Sequence, residues 1–409
     1  MRGTVVGARR PRVWERRSQA GASVPKRSTV RVGLAGLLAL AATYGLGRQA
    51  YGLFVPWFRS EFTLGLDMVG YLAGAAQFGY LVATVATGVI AARFGPRLPV
   101  VAGCVLLAVG AVLVATAQTT LLLAVGVILA GTSAGGAWAP FSDTVAERVP
   151  PGGRRRALAL VNAGSPVGLL IASLLVAVTG SSWRLAWAAF AIVGLVAAAV
   201  NAFVLPSSHA PDRPTSAEHG WAGLMAPPAL RLFAVAALAS MTSGAYFAYA
   251  PDAAQEAGLP PWIGAAMWGV LGLSGAAVGA FAGDIANRFT LGRQLAITWL
   301  ALAAALAALV AVAGTIPGAL GSAAVFGVAF TTGYAFIAMW SQEVFPDRPT
   351  TGFTATIVCI AAGFTVGPML YGVVATYLGR PLAPLASAVP AVVAAVLSVA
   401  PPGGRRGGA

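Results

Sequence analysis

The sequence predicts an all-α membrane protein: twelve transmembrane helices in two pseudo-symmetric halves of six. Three observations predict it. Charged residues make up only 9% of the 409 positions and hydrophobic residues 58%, with a mean hydropathy of +0.80, whereas a soluble chain carries about 25% charged residues. Apolar segments follow one another along the chain, each close to or above the roughly 20 residues that cross a bilayer. The second set of segments repeats landmarks of the first at a nearly constant shift.

Composition also excludes several classes. The 51 glycines suit helices that pack closely in lipid through small residues. Cys104 and Cys359 lie inside apolar segments, and His209 and His219 lie in one polar loop. Neither a disulfide framework nor a metal site is indicated, and no cofactor is expected. A net charge of +14 would suggest nucleic acid in a soluble protein. Here the arginines fill the gaps between apolar segments, so membrane topology accounts for them and no nucleic-acid partner is expected.

Residues 1–31 are arginine-rich and lack a helical apolar period. They read as a disordered cytoplasmic tail able to touch anionic lipid headgroups. The apolar run that follows is too long for a signal peptide, and no small-residue cleavage site ends it. The first half, 32–205, holds segments 32–58, 68–92, 98–117, 120–145, 157–179 and 183–205. The polar break 206–228 reads as a cytoplasmic linker. The second half, 229–400, holds segments 229–250, 262–286, 294–314, 317–342, 351–378 and 382–400, and a short tail covers 401–409. With the N-terminus inside, the basic residues divide 22 inside to 3 outside. That bias places both termini in the cytoplasm of a cell whose plasma (inner) membrane the chain crosses many times.

Arg48 is the one basic residue left within the membrane. It stands near the middle of the first segment, where a charge costs at least ~2.5–3.5 kcal/mol on insertion scales. Tyr44, Arg48 and Tyr51 are spaced i, i+4, i+7, on one face of an α-helix. A guanidinium offers a bidentate fork and two phenols add hydrogen bonds, which suits an anionic group. The other reading of Arg48 is structural: a tie to backbone carbonyls or a neighbouring glutamine that holds two helices together. Gln77 on the second segment falls at a similar depth.

The repeat is found by sliding the chain along itself. At a shift of 195, residues Gly88 to Phe94 fall on Gly283 to Phe289 with five matches in seven, Ala50 and Tyr51 fall on Ala245 and Tyr246, and Pro56 falls on Pro251. At 196, Glu147 and Pro150 fall on Glu343 and Pro346, and Trp138 falls on Tyr334. Two six-helix copies with the same membrane orientation follow.

Over residues 32–400 the sequence resembles the major facilitator superfamily. Its loop signature between helices 2 and 3 is roughly G-x-x-x-D-R-x-G-R-R; here Gly88, Arg93, Gly95 and Arg97 stand at the matching places and Ala92 replaces the acid. Gly164, Pro166 and Gly168 weakly resemble the family's antiporter signature on helix 5. The resemblance implies that the loop latches a cytoplasmic gate; with the family's acid replaced, Arg93 and Arg97 are expected to meet Asp143 or Glu147 at the inner end of helix 4 instead, with Arg288 and Glu343 as symmetry mates. The bland reading of these charges is that they only fix topology.

The resemblance also implies that helices 1, 4, 7 and 10 line a central cavity, with substrate near the bilayer midplane. The candidate substrate-binding residues are then Tyr44, Arg48, Tyr51 and Gln77, with Trp138 from helix 4. Helix 7 offers Thr242, Tyr246 and Tyr249, and helix 10 offers Thr332 and Tyr334. For any single aromatic, core packing or an interfacial belt is the competing role. The expected function is alternating-access transport of a small organic solute, specifically an organic anion, by a monomer, without enzymatic activity. Protons are a candidate coupling ion. A proton-driven drug or metabolite exporter is the alternative, and a non-transporting membrane sensor is the rival from another class.

Overall fold

The computed structural model describes residues 26–207, 224–285, 290–311, 314–346 and 349–399. Every regular element among the described residues is helical. The first half contains α1 (Thr29–Phe62), α2 (Leu66–Phe94), α3 (Arg97–Ala115), α4 (Thr120–Arg148), α5 (Pro151–Thr179) and α6 (Trp183–Val204). The second contains α7 (Pro227–Glu256), α8 (Ile263–Ile285), α9 (Leu291–Ala311), α10 (Ile316–Val344), α11 (Thr351–Tyr377) and α12 (Leu382–Val399). Eleven of these are long and apolar enough to cross a membrane over their described residues; α8 has a shorter apolar stretch, Ile263–Val278, within its 23 residues. Helix begins at Lys26, inside the stretch expected to be tail. The rest of that tail, residues 401–409 and most of the linker lie outside the described residues.

Local chemistry marks the helix ends, and the repeat recurs in it. The Thr119 hydroxyl accepts from the Leu122 N–H at the start of α4, and the Thr315 hydroxyl accepts from the Gly318 N–H at the start of α10. Each satisfies an orphan donor of the first turn. The two caps stand 196 residues apart, the repeat shift read from the sequence. Gly180 (φ 57°) and Gly379 (φ 104°) follow α5 and α11 in left-handed backbone that other residues adopt at a cost.

Packing follows the same duplication. In the first half α1 packs on α5, α2 on α4, and α3 on α6; in the second half α7 packs on α11, α8 on α10, and α9 on α12. Large apolar side chains such as Leu121, Val178, Phe203 and Val396 point outward and stay exposed. That surface suits lipid, and helices satisfy their backbone within it. The chain is a multi-pass membrane protein.

Among the described residues two helices carry π-helical or 3-10 winds. α1 carries a nine-residue π-helical stretch, Ala41–Gln49, and Pro56 lies beyond it. α4 carries a 3-10 turn at Ser133–Gly136. Departures of this kind inside helices often mark functional positions.

The halves meet where the end of α1 packs on α7, α2 on α11, and α5 on α8. A methyl group on Gly52 would overlap the Phe247 carbonyl, one on Gly70 would overlap Pro368, and one on Gly372 would crowd Leu66. These approaches lie away from Arg93, Arg97 and Arg148. The arginine-bearing end is called the basic end below, and its opposite the far end. At the basic end the rings of Trp138 and Phe353 meet across the halves at 5.4 Å.

Candidate functional site at the centre of the helix bundle

Backbone packing comes first. Gly45 of the π-helical stretch lies directly on Gly168 of α5, and Gly47 lies on the Ala130 carbonyl and Ser133 of α4. With no Cβ in the way, α1 runs close against both helices. The Gln49 carbonyl accepts a 3.1 Å hydrogen bond from the Trp268 indole of α8, and the Gln49 side chain accepts one from Ser165. The wide stretch is thus anchored on three sides, and Arg48 projects from its end.

The Arg48 Nε donates to Gln77 Oε1 at 2.8 Å. Three rings surround the guanidinium: its carbon lies 4.3 Å from the centre of Tyr80, 4.7 Å from Phe364 and 5.7 Å from Tyr44. Tyr44 and Tyr80 meet edge to face, with their hydroxyls 3.2 Å apart. Phe364 comes from α11, so the cage draws on both halves. Its ring lies 6.1 Å from Tyr334, whose hydroxyl bonds Ser240 at 2.8 Å and Ser243 at 3.2 Å. Among the described residues no carboxylate pairs with Arg48. A cavity of about 20 Å³ adjoins it, lined in part by Arg48, Tyr51, Gln77, Val127, Phe247 and Pro368. That is room for one or two waters.

Of the residues singled out in the sequence, Tyr44, Arg48, Gln77 and Tyr334 gather here. Tyr51 lines the cavity, but its hydroxyl bonds the Val69 carbonyl at 3.1 Å. The shared α-helical face expected for Tyr44, Arg48 and Tyr51 does not persist, because the π-helical wind intervenes between the first and the last.

The remaining candidates sit elsewhere. Thr242 donates to the Ser387 carbonyl of α12. Tyr246 stacks on Phe326 at 3.9 Å and bonds Ser322, inside the second half. Tyr249 donates to the carbonyls of Leu66 and Pro368 on the far-end seam. Thr332 bonds its own helix at the Val328 carbonyl. Trp138 donates to Asn162 at 3.0 Å, toward the basic end.

Tyr80, Phe364, Ser240 and Ser243 were not singled out. For Tyr80 a signal existed: it follows Gln77 by three residues, on the same face of α2. At the basic end, Arg93 closes α2, Arg97 opens α3, and the segment Trp138–Arg148, which carries Asp143 and Glu147, packs against both helices. Glu343 lies in the last turn of α10, and Arg288 lies outside the described residues.

The far end holds a group the sequence did not single out. Arg59 of α1 reaches Asp252 and Glu256 of α7, and Arg380 also reaches Glu256.

No curated protein matches the chain. Several similar solved structures are transporters. A bacterial homologue of the human lysosomal transporter Spinster, inward-facing and unoccupied, has a TM-score of 0.74 at 15% identity, covering 92% of this chain and 97% of its own. A nucleoside transporter gives 0.75 at 12%, covering 91% and 98%. A D-xylose-proton symporter gives 0.71 at 17%, covering 91% and 96%. At such identities the likeness establishes the fold alone. The sequence profile described as Major Facilitator Superfamily matches residues 37–361, most of the chain. The duplicated six-helix halves, the transporter fold and this match agree: the chain belongs to the Major Facilitator Superfamily.

Proposed function

We propose that the protein carries a small organic anion across the membrane by alternating access, with Arg48 as the countercharge. One observation carries the reading. A guanidinium stands in the middle of a membrane-spanning helix, between the halves, with a glutamine and three rings as partners and no carboxylate among the described residues. A cation at that depth ordinarily serves function. Gln77 occupies Nε, which leaves both Nη groups to receive a carboxylate through paired hydrogen bonds. Tyr44, Tyr80 and Phe364 suit an apolar body beside that group, and the Tyr334 hydroxyl adds one polar contact.

The cavity is far too small for such a solute, so binding requires the halves to move. The basic end is the cytoplasmic one under the positive-inside rule, with both termini inside and the chain in the plasma membrane as a monomer. Arg93, Arg97, Asp143 and Glu147 are the cytoplasmic gate in this reading, with Arg288 and Glu343 as their mates.

A thermal-shift screen of the purified protein tests the reading. It uses small carboxylates, amino acids and hydrophobic cations on wild type, Arg48→Ala and Arg48→Lys. A bound ligand raises the melting temperature once its concentration exceeds Kd. A carboxylate should stabilise wild type, Arg48→Lys less, and Arg48→Ala not at all. Stabilisation by cations alone, equal in all three, would replace this reading with that of an exporter.

A further inference from the structure

The far end carries a charged cluster that the Arg48 site does not use. Arg59, near the end of α1, belongs to the first half. Asp252 and Glu256, one turn apart on α7, and Arg380, just after α11, belong to the second. Arg59 Nη1 donates to Asp252 Oδ2 and to Glu256 Oε1, each at 2.5 Å. Arg380 Nη1 lies 2.7 Å from the same Glu256 oxygen. Among the described residues Glu256 is therefore ion-paired with two arginines and Asp252 with Arg59 alone, while Arg380 also lies within electrostatic reach of Asp252.

Burial separates the two acids. The Asp252 side chain is 5% exposed and that of Glu256 30%. A cleft of about 440 Å³, lined by Arg59, Ser60, Thr63, Asp252, Gln255 and Glu256, runs up to the pair and gives water a route to it. Within the cluster the first half contributes one positive charge, and the second contributes a net single negative charge.

We propose that Asp252 is a proton-binding site that governs the far-end seam. Ionised, it binds Arg59 and holds the halves together. Protonated, it leaves the second half's share of the cluster neutral, and only the partly exposed Arg59–Glu256 pair of this cluster still spans the seam, so parting becomes easier. Parting the pair while Asp252 stays ionised would strand a carboxylate among buried groups, which is strongly disfavoured. The proposal rests on the reading that the halves separate during transport.

Other groups face Asp252. Tyr51 from α1, Tyr249 from its own helix and Tyr371 from α11 lie within its electrostatic reach. Tyr51 and Tyr249 already donate their hydroxyls to backbone carbonyls, so neither replaces Arg59 as a partner. Asp67, at the start of α2, adds negative charge on the first-half side of the seam. Glu256 keeps both arginines when Asp252 takes a proton.

Pulsed electron paramagnetic resonance on the full chain in lipid nanodiscs tests this. Spin labels go on Met68→Cys and Leu378→Cys, exposed positions on the two sides of the seam, with Cys104→Ala and Cys359→Ala to remove the native thiols. As pH falls from about 8.5 to about 4.5, the label distance should shift to a longer population. One linked proton changes the open-to-closed ratio by up to about tenfold per pH unit. Asp252→Asn should be open-shifted and flat with pH, and Arg59→Gln should be open already near neutrality.

A wild-type distribution that ignores pH overturns the proposal, as does an unchanged pH response in Asp252→Asn. If that variant fails to fold, Asp252→Glu must move the midpoint; an unmoved midpoint overturns it equally. Failure of the transport reading shows separately, as no ligand response in the thermal-shift screen while the distance still follows pH.

Discussion

Arg48 and Phe364 meet across the boundary between the halves, with the guanidinium carbon 4.7 Å from the ring centre. The arginine rides on the irregular part of α1. The phenylalanine rides on α11, and Gly363 and Gly367 beside it lie directly on the α7 backbone at Ala237 and Met241. The cation thus touches a rigid part of the opposite half.

Phe364→Ala removes a cation–π contact worth ~0.5–2 kcal/mol. The Kd for a stabilising carboxylate should rise by about 2- to 30-fold, while Phe364→Trp holds it near wild type. Isothermal titration of the two variants checks this. An unchanged Kd in Phe364→Ala would show that the ring does not help to seat the cation.

Tyr246 and Tyr80 should separate stability from binding. Tyr246→Phe deletes a hydrogen bond to Ser322, which keeps its own bond to the Ala305 carbonyl. The expected cost is ~0.5–1.5 kcal/mol of stability, with anion affinity untouched. Tyr80→Phe loses the hydroxyl contact with Tyr44 beside the cation, and should change affinity more than melting temperature. Melting curves with and without ligand distinguish the two.

Two glycines should respond in opposite directions to the same methyl group. Gly45 lies on the Gly168 backbone, so Gly45→Ala forces α1 and α5 apart, at ~1–3 kcal/mol. Gly88, near the end of α2, has nothing within 4 Å of an added Cβ. Gly88→Ala should therefore stabilise by ~0.5–1 kcal/mol through helix propensity. Detergent melting temperatures measure both.

The fold was largely legible in the sequence, because lipid leaves few choices. A run of about 20 apolar residues between polar breaks can hardly be anything but a spanning helix. Each expected segment ends within six residues of the observed helix ends. The caps at Thr119 and Thr315 show the duplication reaching down to single hydrogen bonds.

The cluster around Arg48 was legible mainly where a charge drew attention, with Tyr334 the exception. Arg48 stood out, and Gln77 followed from depth. On α7, polarity was a poor guide to direction. That helix is buried on nearly every side, so hydroxyls at i, i+4, i+7 are as readily absorbed by the core of the second half as by a cavity. Thr242 and Tyr246 went to the core and Tyr249 to the seam. The π-helical wind of α1 was also invisible, because spacing arguments assume 3.6 residues per turn. Phe364 carried no polar signal, and its role depends on which helix faces Arg48 across the halves.

The glycines at Gly52, Gly70 and Gly372 bear on the cost of wetting. When the far end is shut, backbone lies against backbone there, and dispersion forces act at short range. When it parts, water meets bare backbone at those three positions. Hydration penalties scale with the apolar area exposed, roughly 25 cal/mol per Å², and a glycine exposes little. The helical carbonyls newly in contact with water are already hydrogen-bonded within their helices and gain a further partner. A seam built this way adheres closely when dry and is inexpensive to flood. If Asp252 governs the seam as proposed, its opening depends mainly on the few charged groups at its edge rather than on the length of the contact.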